Sequence, residues 1–131
     1  MKCWDYRRGA PWIPVILFGE TIIDDWAFVD SGAGYCVLHP KFIPVLKLKK
    51  KREDRLYGFG SKEAVPTDIA SLEIEVDGFR ETVEVACIEA KYYSERLPEI
   101  IIGRNFLNEY FITLNGEEIC IKRKRGRENR K

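Results

Sequence analysis

The sequence predicts a mostly β, single-domain protein with little helix. Two observations carry that expectation. Short apolar runs alternate with charged residues at period 2, and the pairs Asp77-Gly78 and Asn115-Gly116 punctuate them with favoured hairpin turns. A chain of 131 residues, 45% hydrophobic and 33% charged, also suits one folded domain with one core.

The elements follow in order. Ile13–Phe18 and Thr21–Ile23 flank Gly19-Glu20 as a hairpin, and Trp26–Val29 is an apolar run that stops at the small, polar stretch Asp30-Ser31-Gly32-Ala33-Gly34. Pro40 is placed to open a helical turn carrying Phe42, Val45 and Leu46, before the basic run Lys47–Arg55. Gly58 and Gly60 mark the bend of another hairpin. Leu72–Val76 and Thr82–Ile88 alternate on either side of Asp77-Gly78 and make the clearest hairpin of the chain. Glu99–Ile102 reads as a buried strand stopped by Gly103, and Phe106, Leu107 and Tyr110 have helical spacing, so Asn105–Tyr110 is expected to form one short helix. Phe111–Leu114 and Ile119–Ile121 close the domain around Asn115-Gly116.

Composition excludes several classes. No apolar run approaches the roughly 20 residues that span a bilayer, and Ile13–Phe18, interrupted by Pro14, lacks the flanks of a signal peptide, so a cytoplasmic location is expected. Cys3, Cys36, Cys87 and Cys120 contain no CxxC pair and are read as small apolar fillers or free thiols. Cys36 and His39 are three apart, but no second pair matches them, so neither a metal nor another cofactor is expected. The absence of Gln beside many Lys, Glu and Ile leans toward a thermophilic source. The domain is taken as 1–121. Residues 122–131 form a tail with seven basic side chains against Glu128, read as a solvated end, with nucleic-acid binding as the lesser alternative.

A carboxylate that ends an apolar strand in a turn of Ser and Gly is, taken alone, most simply a turn residue accepting backbone N–H bonds. Its context changes the reading. Phe28-Val29-Asp30-Ser31-Gly32-Ala33 is followed by a Gly-bearing hairpin from Tyr57 to Lys62, and then, about seventy residues after Asp30, by Ile101-Ile102-Gly103-Arg104-Asn105. In this order and spacing the chain resembles the retropepsin-like, or retroviral-type, aspartic proteases, over Ile13 to Ile121.

That resemblance implies an all-β, closed-barrel acid-protease fold with one short helix, working as a homodimer. Peptide hydrolysis by this class needs two carboxylates that share one proton, one acting as base on a water and the other as acid. The chain has one Asp-Ser-Gly, so a twofold-related copy would supply the second. The resemblance makes Asp30 catalytic, gives Ser31 a hydroxyl bond across the pair, and lets Gly32 admit the substrate backbone. Tyr57, Gly58, Phe59 and Gly60 would close over an extended peptide as an added strand. Ala33, Gly34, Val37, Ala64 and Ile102 would line the subsites, while Gly103, Arg104 and Asn105 support them. The implied activity is an aspartic endopeptidase acting on extended peptides or unfolded proteins. The alternative is a dimerisation or binding module of the same fold with little catalysis.

Three departures from the family pattern matter. Gly34 stands where retroviral members often carry an Asp that pairs with the Arg matching Arg104, so that ion pair is missing here. Phe59 replaces a small residue at the flap tip. The Lys47–Arg55 run is more basic than the fold requires, and suits either acidic substrates or simple solubility.

Overall fold

The structure, a computed structural model, describes residues 1–57 and 63–124. Ten strands organise it: β1 (Lys2–Asp5), β2 (Trp12–Phe18), β3 (Ile22–Val29), β4 (Cys36–Leu38), β5 (Lys50–Leu56), β6 (Val65–Val76), β7 (Phe79–Ile88), β8 (Ile100–Ile102), β9 (Tyr110–Leu114) and β10 (Glu118–Arg123). Strands β2-β3-β8-β4-β7-β6 are hydrogen-bonded in that order, and β6 returns to pair with β2, which closes a six-stranded barrel. Strand β5 hangs from the outer edge of β6.

Period-2 patterning builds this barrel. In β2 the side chains of Ile13, Val15 and Leu17 are buried while their neighbours are half-exposed, and β6 buries Leu72, Ile74 and Val76 against them. The β6–β7 turn places Asp77 and Gly78 at φ of 50° and 82°. Both are left-handed, the twist that matches flanking strands, and Asp and Gly tolerate it. The Asn115-Gly116 turn forms as expected, with Asn115 Oδ1 accepting the N–H groups of Glu117 and Glu118.

Two short α-helices are present among the described residues rather than one: α1 (Phe42–Leu46) and α2 (Arg104–Leu107); a 3-10 turn at Ala90–Tyr92 lies between β7 and β8. Helix α1 lies where Pro40 predicts a turn, buries Phe42 and Leu46, and ends at left-handed Lys47. Helix α2 is shorter than the expected span, because Tyr110 already belongs to β9, which swings the chain into a second sheet.

That second sheet has the order β1-β10-β9, so both terminal strands pair within one chain. The register sets Cys3 opposite Cys120, and the two are joined in a disulfide. The reading of all four cysteines as fillers or free thiols is therefore corrected for this pair, whose sequence separation of 117 gives no local signal. Cys36 and Cys87 are free and buried. Strand β10 also runs to Arg123, two residues into the basic stretch assigned to the tail. There Arg123 makes a bidentate ion pair with Glu81 of β7, with Nη2 at 2.8 Å from Oε1. Residues 125–131, the rest of that tail, lie outside the described residues.

Candidate active site

The apolar run of β3 buries Ala27 and Val29, and its end delivers Asp30 to the surface of the barrel. Backbone pairing fixes the carboxylate there. The Asp30 N–H donates to Ile102 O at 3.0 Å, tying the loop to β8, and the Ala33 N–H returns to Asp30 O at 3.2 Å. The Gly32 N–H donates to Asp30 Oδ1 at 2.9 Å, which orients the carboxyl group. Half-buried Asp30 thus combines the turn residue's hydrogen bond with a position on a cleft floor. Ser31 is exposed beside it, and its hydroxyl has no hydrogen-bond partner among the described residues.

The segment Gly103-Arg104-Asn105 holds this loop from below. Arg104 N–H donates to Ala33 O at 2.7 Å and Asn105 N–H to Gly34 O at 3.2 Å. The Asn105 amide accepts the Cys36 N–H and donates to Glu84 O, so one side chain spans β4 and β7. Gly103 N–H points at Cys36 Sγ, 3.5 Å away. Burial pushes the Cys36 thiol up to about 12, so it stays a neutral packing group at ordinary pH. Gly103 has no room for a side chain. A Cβ there would lie 2.6 Å from the Tyr35 carbonyl carbon and 2.8 Å from Ala33 O, both rigid backbone. Gly103→Ala is therefore expected to cost about 3 kcal/mol in urea unfolding, at the upper end for overpacking. An unchanged midpoint would show that the loop is looser than drawn.

The cleft around Asp30 measures ≈ 480 Å³ and is lined by Gly32, Ala33, Gly34, Tyr35, Val37, Leu56, Tyr57, Leu97 and Ile101 as well as Asp30. Of the predicted subsite residues, Ala33, Gly34, Val37 and Tyr57 lie on it. Ile102 does not: it is fully buried in the main core, and Ile101 faces the cleft with Val37 and Leu97. Alternation along β8 decides this, and three consecutive isoleucines hide its phase. Ala64 is likewise absent from the lining. The arms of the expected flap hairpin are present, β5 and β6 pairing up to Leu56 opposite Val65. Gly58, Phe59 and Gly60 lie outside the described residues. An adjoining concavity of ≈ 930 Å³ holds Arg7, Arg8, Trp12 and Trp26, with Arg7 stacked 4.1 Å over Trp26.

Tyr35 and Leu97 are lining residues that sequence reasoning missed. Tyr35 is held by a polar chain: its hydroxyl donates to Asp54 at 2.9 Å and accepts from Arg52 Nη2 at 2.8 Å, and Arg52 in turn forks onto Glu84. Hydrogen bonding from Arg52 draws the Glu84 carboxyl down to about 2. Lys50 and Lys51 likewise meet Glu53, Asp68 and Glu84. The basic run on β5 is thus largely neutralised by neighbouring strands. Arg104, deprived of an acid at position 34, turns instead to backbone: Nη1 donates to Ser31 O at 3.3 Å and Gly32 O at 3.4 Å. The Cys36–His39 spacing brings no ion site together. Cys36 is buried on β4, and His39 Nδ1 accepts the Lys41 N–H.

Comparison with known proteins places this geometry. The model of the retroviral aspartyl protease family matches residues 9–115. Among solved structures, a retropepsin-like aspartic protease from Rickettsia conorii superposes with a TM-score of 0.62 at 14% identity, covering 92% of this chain and 91% of the other. The EIAV protease, solved with the inhibitor HBY-793, gives 0.53 at 22% identity over 77% of this chain and 88% of that one. At such identities these two likenesses speak for the fold. A curated relative, the mitochondrial ubiquinone biosynthesis protein COQ4 of Scheffersomyces stipitis, is 27% identical over 121 residues; the match takes in 84% of this chain but only 34% of that protein. This chain spans about a third of that relative's length. The family match, over residues 9–115, takes in the Asp30 turn, strands β5 and β6 and the Gly103–Asn105 segment together, and the chain belongs to the retroviral aspartyl protease family.

Proposed function

We propose that the chain is a homodimeric aspartic endopeptidase that cleaves extended peptides or unfolded proteins. A water held between two Asp30 carboxylates, one from each copy, attacks the scissile carbonyl. One carboxylate takes the water's proton while the other protonates the carbonyl oxygen, and the proton passes on to the leaving amine as the intermediate collapses. The observation that carries this reading is Asp30 itself: a carboxylate oriented by the Gly32 N–H on the floor of a cleft, present once per chain. The free Ser31 hydroxyl supports a bond across the twofold axis.

The family resemblance implies that the terminal strands contribute to a dimer sheet; within one chain, β1 and β10 pair with each other. Of the two edges of this sheet, β1 carries Lys2 and Asp5, whereas the five residues Tyr110–Leu114 of β9 carry no charge and leave Phe111 and Leu114 exposed. An uncharged, apolar edge of this kind favours antiparallel pairing with its own copy, and such a contact is isologous by construction. Substrate would enter between the barrel and the β5–β6 arms, bonding through its main chain.

We further propose a cytoplasmic location. A disulfide persists in an oxidising compartment or in the cytoplasm of a hyperthermophile, and the Gln-free composition favours the second.

Dilution tests the reading. Cleavage of unfolded casein, followed by mass spectrometry between pH 3 and 8, should show specific activity falling as the dimer dissociates. It should also fall toward alkaline pH, where the shared proton is lost. A monomer fully active at every dilution, or a rate still rising at alkaline pH, would overturn it.

A further inference from the structure

We infer that Arg104 reads an acidic side chain of the substrate through the gap at Gly34. The inference rests on the peptidase reading above and names its substrate class.

Three observations converge on it. Arg104 is exposed, and no carboxylate lies within ion-pairing range of it among the described residues. Its two recorded side-chain bonds, to Ser31 O and Gly32 O, both leave from Nη1. A guanidinium has five N–H donors in a planar fork, so the Nη2 side retains donors. That side faces position 34: a Cβ built on Gly34 would sit 3.5 Å from Nη2, at ordinary contact distance. Gly34 is exposed and forms part of the cleft wall beside Asp30 and Tyr35. With no side chain there, the wall is open at the one place where the cation stands behind it.

The cations of β5 do not compete for this role. Arg52, Lys50 and Lys51 on β5 already hold carboxylates of Glu84, Glu53 and Asp68. A peptide extended along Asp30, Gly32 and Gly34 carries its flanking side chains past this opening. A Glu or Asp there completes a planar, charge-assisted pair with Nη2, while the Nη1 bonds keep the guanidinium fixed. The missing acid thus becomes a requirement placed on the substrate.

The test reads a ratio. Matched peptides, taken from sites cleaved in a random pool, carry Glu or Gln at each flanking position in turn. At one position the wild type should prefer Glu by about tenfold in kcat/KM, the scale of a hydrogen bond to a charged group. Gly34→Asp, which supplies the acid internally, should bring that ratio to one or below. Arg104→Gln, which keeps amide donors but removes the charge, should do the same. Equal cleavage of all pairs by the wild type overturns the inference and leaves the peptidase reading standing. A Glu preference unchanged in both variants overturns the assignment to Arg104. If Gly34→Asp tightens or loosens the dimer and leaves the ratio alone, Arg104 serves a contact between copies, which also overturns it. If no peptide is cleaved, the peptidase reading falls, and the same Glu-to-Gln ratio is read as binding of fluorescein-labelled peptides by anisotropy. A tenfold binding preference lost in Gly34→Asp then sustains the inference, and its absence ends it.

Discussion

Asp30→Asn is expected to lower casein cleavage by at least about a thousandfold while leaving the fold and the dimer in place. The amide matches the carboxylate in size, and its oxygen still accepts the Gly32 N–H, so the loop keeps its bond. What disappears is a group able to take a proton from water, and proton transfer by a positioned side chain contributes about a hundred- to ten-thousandfold. Loss of the paired charge removes transition-state stabilisation as well. A mixing experiment sharpens the result. If each copy supplies one carboxylate, equal amounts of wild type and variant, allowed to exchange, leave about one quarter of dimers with two aspartates. Activity should fall to about a quarter of that of the same total amount of wild type. A fall to only one half would mean that each chain works alone. Wild-type rates from the variant would remove Asp30 from the mechanism.

The second large effect concerns stability. Reducing the Cys3–Cys120 bond, or replacing both residues by Ser, is expected to cost about 4 kcal/mol. The sequence separation is 117, and closing so long a loop in the unfolded chain removes much of its freedom. For a domain of this size that corresponds to a melting point lower by roughly 10–20 °C. Cys87→Ala removes a buried thiol without touching the cross-link, and should shift melting far less. Thiol titration in denaturant without reductant should find two reactive groups of the four cysteines. Four reactive groups, or identical melting with and without reductant, would refute the cross-link.

How much of this was legible beforehand depends on the range of each signal. The hairpins around Asp77-Gly78 and Asn115-Gly116 are written in neighbouring residues, and both form where the sequence puts them. Gly103 and Asn105 follow directly from the end of β8, so the bond from Asn105 to the Cys36 N–H comes from residues adjacent to a strand that sequence alone marks. What escaped notice is long-range or two-sided. The parallel pairings β3–β8 and β4–β7 join segments far apart in sequence, with no turn to announce them. Ile100, Ile101 and Ile102 are apolar on both faces of β8, because each face packs against a different cluster, so nothing local told which isoleucine sees the cleft. Tyr35 carries no local signal; its place depends on Arg52 and Asp54 of a strand reached only after α1. The sequence shows that Arg104 lacks its acid, but not that the carbonyls of Ser31 and Gly32 take that acid's place.

If the chain is the peptidase proposed above, the pairing of β1 with β10, locked at Cys3 and Cys120, bears on its survival among its own copies. Nearly the whole chain lies inside one covalent ring. Autolysis at any single loop between the two cysteines opens that ring without releasing a fragment. The barrel strands on either side of the nick stay tethered through the terminal sheet, so a clipped molecule can hold its shape. Self-digestion would inactivate such an enzyme only after a second cut, or after the tether itself is reduced.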